Sequence, residues 1–271
     1  VAPSIDAFTP KNQPMPSANV RAILAHTGLV AGSVTDRGLL TFRRADGSPG
    51  RVDRFVDTMR CGPPPSPDVP LVIQVSRWDR LKDHIGVMHG FAHWHRQRTS
   101  SRAELVLAGP SVMSVADDPE GPAVFREVFE TWCELPHEQR SRVHLAMLPM
   151  VDVDENAAIV NALQRHSRNI VQKSLQEGIG LTLTEAMWKR RAVIASRVGG
   201  LQDQVEHGRN GLLLDDPRDE CEFMAALNDL LDDDLRCRRL GEAAGDTVRE
   251  RYLAIRTLAD HLQLILEQIA G

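Results

Sequence analysis

The spacing of apolar residues along this chain changes at Leu71. Before it, prolines and polar residues dominate. Val1 to Pro16 holds four prolines and few large apolar side chains, and reads as an ordered linker or extended arm. Ser17 is placed to cap a short helix through about His26, so residues 1–32 are read as a linker with one helix. Residues 33–70 are read as a polar insertion or loop, punctuated by Gly47-Ser48-Pro49-Gly50 and Gly62-Pro63-Pro64-Pro65.

From Leu71 onward the chain alternates between two periods. Leu71 to Ser76 is a short apolar run rich in β-branched residues, followed by a helical stripe of Ile85, Met88, Phe91 and Ala92. The same pairing recurs three times. A strand at Glu104–Leu107 precedes a helix striped by Phe125, Val128, Phe129 and Trp132. A strand at Val143–Met147 precedes a helix with Ile159, Ala162 and Leu163, and a strand around Ile170-Val171 precedes a helix at Leu183–Trp188. A fifth strand lies at Ala192–Ala195, and a last one at Gly211–Leu214. Strands alternating with helices imply parallel pairing, so residues 71–250 are expected to form an α/β, Rossmann-like, doubly wound sheet. Tyr252, Ile255, Leu258, Leu262, Ile265 and Ile269 then form one stripe on a C-terminal helix over residues 251–271. That helix requires a partner, either this domain or a neighbour.

Composition narrows the function. The chain has 271 residues, 42% hydrophobic and 25% charged, enough for a sizeable core. A net charge of −5 argues against a general binder of nucleic-acid backbones, so phosphate recognition is expected to be local. Cys61, Cys133, Cys221 and Cys237 are widely spaced and read as reduced thiols. No apolar run reaches membrane-spanning length, and the chain is expected to be cytoplasmic and off the membrane.

In open α/β sheets ligands gather beyond the carboxyl ends of the strands. The first such turn, Ser76-Arg77-Trp78-Asp79-Arg80-Leu81-Lys82, has no GxGxxG and no Walker lysine motif. It offers cations: Arg77 to fork onto phosphate oxygens and Lys82 as a point charge, with two solvated surface cations as the plainer reading. The turn after the fourth strand, Glu177-Gly178-Ile179-Gly180-Leu181-Thr182-Leu183-Thr184-Glu185, is more specific. Its glycines permit close backbone approach, and the amides of Gly180, Leu181 and Thr182 open a helix at its positive end, which suits a diphosphate. Glu177 and Glu185 can reach opposite ends of that ligand and accept from sugar hydroxyls. Taken singly, each has a plainer reading that would prevail: Glu177 as a dipole partner and Glu185 as a solvated helix residue. Met150, at the end of the third strand, is chosen as a wall for the base, though a core role fits as well. His89, His93 and His95 lack a partner at metal-site spacing and read as a surface helix. Asp117-Asp118 reads as loop structure rather than a metal site.

The pair Glu177…Glu185, preceded by Ser76-Arg77…Lys82, resembles the retaining glycosyltransferases of the GT-B fold. Asp117-Asp118-Pro119-Glu120-Gly121, Glu185-Ala186-Met187-Trp188-Lys189 and Val198-Gly199-Gly200 look like trehalose-synthesising glycosyltransferases and trehalose phosphorylases. Pro3-Ser4-Ile5-Asp6 looks like the segment linking the two GT-B domains. The resemblance implies a C-terminal donor-binding domain. Arg77 and Lys82 would neutralise the leaving nucleoside diphosphate, and the amides of Gly180 to Thr182 would hold its distal phosphate. Glu177 would bind the transferred sugar, and Glu185 the ribose. It further implies transfer of glucose with retention from UDP-, ADP- or GDP-glucose, without cofactor or metal, to an acceptor held by an absent N-terminal domain. The last helix would pack on that domain, and a homodimer is a further possibility. This half alone is expected to turn over weakly or not at all. Two alternatives stay open: a trehalose phosphorylase, and a non-catalytic nucleotide-sugar-binding module that works through a partner chain.

Overall fold

The computed structural model describes residues 3–112 and 120–270; Asp117 and Asp118 lie outside them. A seven-stranded sheet has the order β3-β6-β5-β4-β7-β8-β9. Its members are β3 (Asp57–Met59), β4 (Leu71–Val75), β5 (Glu104–Pro110), β6 (Val143–Leu148), β7 (Asn169–Gln172), β8 (Ala192–Ser196) and β9 (Leu212–Leu214). All pairs are parallel except β3 on β6, which is antiparallel at one edge. The expected α/β architecture is therefore present.

Both faces of the sheet are covered, which is why its central strands read as unbroken apolar runs. Leu71, Ile73 and Val75 join Ile170 and Val193 in one core, packed against α1 (Ser17–Thr27), α5 (Val153–His166), α6 (Leu181–Trp188) and α9 (Asp234–Arg251). Val72, Leu105, Leu107, Val171 and Ile194 join the other core, against α2 (His84–Gln97), α3 (Gly121–Glu134) and α8 (Glu220–Asp232). Short turns of helix, α4 (His137–Arg140) and α7 (Leu201–Gln204), fill the remaining connections. Chain order reverses at β4, which pairs with both β5 and β7. The crevice at the carboxyl ends of β4 and β7 is thus the topological switch point where such folds bind ligands.

Three local readings differ from the structure. Ser17 is the first residue of α1, not its cap; Pro16 occupies that position without a side-chain hydrogen bond. Residues 37–59 carry defined elements: a 3₁₀ turn at Arg37–Leu40, a hairpin of β1 (Thr41–Arg43) and β2 (Pro49–Arg51), and β3. Carboxylates of α5 tie this segment down. Arg44 pairs with Asp152 at 2.6 Å, and buried Glu155 accepts from the backbone amides of Asp53 and Arg54 at 2.7 Å each and pairs with the Arg54 guanidinium. Finally, Tyr252 does not belong to the last apolar stripe. It closes α9, is buried, and donates its hydroxyl to the Asp203 carbonyl at 2.9 Å. The final helix, α10 (Ala254–Ala270), begins beyond it and leaves Ile255, Leu258, Leu262 and Ile265 more than half exposed.

Candidate functional site

After β4 the chain leaves the sheet through Ser76 to Asp79 and makes a 3₁₀ turn, Arg80–Lys82, capped by the Asp79 carboxylate at 2.8 Å from the Leu81 amide. Three contacts fix that turn. Gln74 donates to the Lys82 carbonyl at 2.8 Å, His84 Nε2 lies 3.0 Å from Ser76 Oγ, and Leu175 donates its amide to the Leu81 carbonyl at 2.8 Å. Burial pushes the His84 pKa down to about 4, aided by Lys82 and opposed by Asp79, so this imidazole is neutral at physiological pH. Asp83 follows in the left-handed region at φ 51° and pairs with buried Lys173, which ties the β4 turn to the β7 turn.

Those ties bring Lys82 onto Glu177. The ammonium lies 2.5 Å from Glu177 Oε2. The same oxygen accepts from Gln172 Nε2 and Ser174 Oγ, each at 3.3 Å. One carboxylate is thereby held by three donors from two strand tips. The sequence signal for Gln172 and Ser174 was available: polar residues closing a fully buried strand seldom lack a task.

Gly180 turns the loop into α6 at φ 76°, where a Cβ would stand 2.3 Å from Leu201 Cδ2. Behind the loop, Gly199 at φ 46° presses so close to Glu177 that an added Cβ would lie 1.7 Å from its carbonyl oxygen. Gly200 donates to the Gly178 carbonyl at 2.9 Å, and Gln204 to the Ile179 carbonyl at 2.5 Å. Gln204 is itself held by Thr184 Oγ1 at 2.6 Å. This corner leaves the amides of Gly180, Leu181 and Thr182 without an acceptor among the described residues, at the positive end of a helix. A concavity of about 480 Å³ lies beside the corner, lined in part by Gly178, Gly199, Gln202 and Tyr252.

One turn into α6, Glu185 is only 7% exposed. The Lys11 ammonium stands 2.8 Å from its Oε2 but off the direction of a hydrogen bond, so this buried oxygen accepts none within the described residues. Lys189, one helical turn further on, donates to the Glu185 carbonyl at 3.1 Å and to Asn12 Oδ1 at 3.0 Å. Burial pushes the Lys189 pKa down to about 7; Glu185 opposes that shift, while Arg165 and Lys11 reinforce it. Lys11, Asn12 and Lys189 escaped sequence reasoning, because the first two sit in a segment read only as a linker.

Two sequence-chosen residues stand apart from this cluster. Arg77 emerges beside Lys82 but extends into solvent, with a single long contact of 3.5 Å to Asp79. Met150 lies at the end of β6, separated from β4 by β5, and its sulfur accepts from Asn156 at 3.3 Å. On α2 the histidines divide. His93 is exposed and pairs with Glu220 at 2.6 Å, whereas His95 is buried, so the surface reading holds for only one face of that helix.

A cationic strand tip, a helix start with free amides and two acids on either side of it meet at one switch point. Residues 59–247 match the family of glycosyl transferases group 1. The chain belongs to that family. This glycosyl transferase domain is 33% identical to trehalose synthase from Rubrobacter xylanophilus, over 72% of this chain and 43% of that protein. Trehalose phosphorylase from Pleurotus pulmonarius is 25% identical over 74% of this chain and 27% of its own length. Among solved structures, sucrose-phosphate synthase from Thermosynechococcus elongatus superposes with a TM-score of 0.59 at 27% identity, over 75% of this chain and 46% of that one. The glycosyl transferase domain thus spans less than half of each relative and corresponds to the C-terminal part of a GT-B enzyme.

Proposed function

We propose that this domain is the donor-binding half of a retaining transferase that moves glucose from a nucleoside diphosphate glucose to a sugar acceptor, forming trehalose. One observation carries the reading. Glu177 and Glu185 stand before and within a helix start whose first amides are free, and Lys82 already contacts Glu177. The diphosphate fits between the acids, on the amides of Gly180, Leu181 and Thr182. Lys82 then shifts from Glu177 toward the phosphates, joined by Arg77, whose guanidinium is exposed and weakly held. Glu177, released in part, accepts from hydroxyls of the transferred glucose, and Glu185 accepts from the ribose.

The chemistry follows from charge placement. As the glycosidic bond breaks, negative charge builds on the departing diphosphate. Fixed cations and a helix terminus stabilise that charge more in the transition state than in the ground state. Attack from the face the leaving group vacates retains the anomeric configuration, and no metal is needed for this step. The exposed stripe of α10 supplies a surface for the acceptor-binding domain.

The phosphorylase alternative places inorganic phosphate against the same cations. It gives Glu185 no ribose to meet, and that buried carboxylate with a free acceptor favours the nucleotide. Calorimetry with UDP, ADP, GDP and inorganic phosphate tests the choice on wild type and Glu185→Ala. The expected outcome is a loss of about ten- to a hundredfold for the preferred nucleoside diphosphate, the worth of a charged hydrogen bond, with phosphate nearly unchanged. Equal losses for both ligands contradict the ribose role.

A further inference from the structure

Lys11 comes from the N-terminal arm, far in sequence from either strand tip, and its place is over-determined. On its N-terminal side, Pro10 gives its carbonyl to Asn161 Nδ2 at 3.0 Å. On its C-terminal side, Asn12 is 3% exposed and gives its carbonyl to Trp188 Nε1 at 3.0 Å and its Oδ1 to Lys189. Gln13 gives its carbonyl to both Asn161 and Arg165 at 3.0 Å. Ile5 exchanges backbone hydrogen bonds with Tyr252 and Ala254 at 2.9 and 3.0 Å. A residue between two such anchors is delivered to one spot, and for Lys11 that spot is the Glu185 carboxylate.

Two ammonium groups contact Glu185, one at its backbone and one at its carboxylate, and they differ in what they are free to do. Lys189 is committed below the carboxylate, to the backbone of Glu185 and the side chain of Asn12. Lys11 is about one-third exposed and stands against the carboxylate, with no other ion-pair partner among the described residues. Its ammonium does not use the acceptor direction of Oε2. A hydroxyl arriving at this carboxylate would find it free of hydrogen bonds from the described residues and a donor alongside.

This is the donor and acceptor set that a vicinal diol requires. Each hydroxyl both donates and accepts; a carboxylate only accepts, and an ammonium only donates. We propose that Lys11 and Glu185 form a two-sided clamp for the 2′,3′-diol of a ribonucleotide. Glu185 accepts both hydroxyl protons while Lys11 donates to a hydroxyl oxygen. The clamp rests on the donor reading above, and it makes the arm part of the binding site rather than a connection beside it. Lys11 also offsets the repulsion that a bare Glu185 would exert on the diphosphate.

The test is calorimetry on the full chain with UDP or ADP, whichever wild type binds more tightly, with its 2′-deoxy analogue, and with inorganic pyrophosphate. Lys11→Met is expected to weaken the ribonucleotide about tenfold, the scale of one charged hydrogen bond. The preference for ribose over 2′-deoxyribose should shrink, pyrophosphate should be held as in wild type, and Lys11→Arg should recover part of the loss. Unchanged or tighter ribonucleotide binding by Lys11→Met overturns the clamp. So do equal losses for all three ligands accompanied by a lowered Tm, the pattern of a purely structural charge. Wild type that binds pyrophosphate but neither nucleotide sinks the donor reading itself, and that outcome is visible before any variant is made.

Discussion

At the scale of single residues, the site depends on how closely the Gly199 backbone lies against Glu177. Replacing Gly199 by Ala puts a methyl carbon inside the Glu177 carbonyl and strains a left-handed backbone. We expect a loss of about 2 kcal/mol or more in urea unfolding, together with weakened nucleotide binding. Gly178→Ala is the control, because its Cβ would meet nothing within 4 Å; its unfolding midpoint should match wild type. The acids and Lys82 were legible in the sequence because charged residues at strand ends and around a Gly-x-Gly turn have few structural reasons to cluster. Gln204 and Lys189 were not, because their roles depend on where α7 and the N-terminal arm come to rest. Arg77 was equally legible as a cation, yet only the fold shows it directed to solvent.

At the scale of elements, β4 to β9 announce themselves because strands buried on both faces are continuous apolar runs. Strands β1, β2 and β3, three residues each and partly exposed, are not apolar runs and span too few positions to show a period. Their order comes from Arg44 and Arg54 meeting acids on α5, a contact no local window contains. The turn between β4 and α2 carries a pH signature of its own. His84 is buried neutral with a pKa near 4, against 6.5 when unfolded. The unfolded state therefore takes up the proton first as pH falls. The contribution of His84 is whole above pH 6.5 and is lost on the way to pH 4, by roughly 3 kcal/mol at full titration. Thermal unfolding from pH 7 to pH 4 should show a steeper fall for wild type than for His84→Gln; parallel curves would place the acid sensitivity elsewhere. The last helix behaves differently. With Leu258 and Leu262 more than half exposed, the double change to Ser should leave Tm of this chain unchanged, within about 0.5 kcal/mol. A clear drop in differential scanning calorimetry would mean that α10 packs on its own domain.

For the whole molecule, the sheet order sets what the chemistry has to work with. Because chain order reverses at β4, the turns after β4 and β7 come together, and Lys82 meets Glu177 across 95 residues of sequence. On the proposed reading, donor handling is concentrated in this half and the acceptor falls to a second domain, in keeping with relatives of which this chain covers less than half. On that account the chain alone should bind nucleotide sugar with little turnover, and adding the acceptor domain should restore trehalose formation. The most direct measurement is a crystal structure of the chain soaked with UDP-glucose or ADP-glucose. The account predicts diphosphate on the amides of Gly180 to Thr182 and within reach of Lys82, with glucose at Glu177 and ribose at Glu185. Density for the nucleotide anywhere other than the β4–β7 crevice, or with its ribose turned away from Glu185, would contradict it.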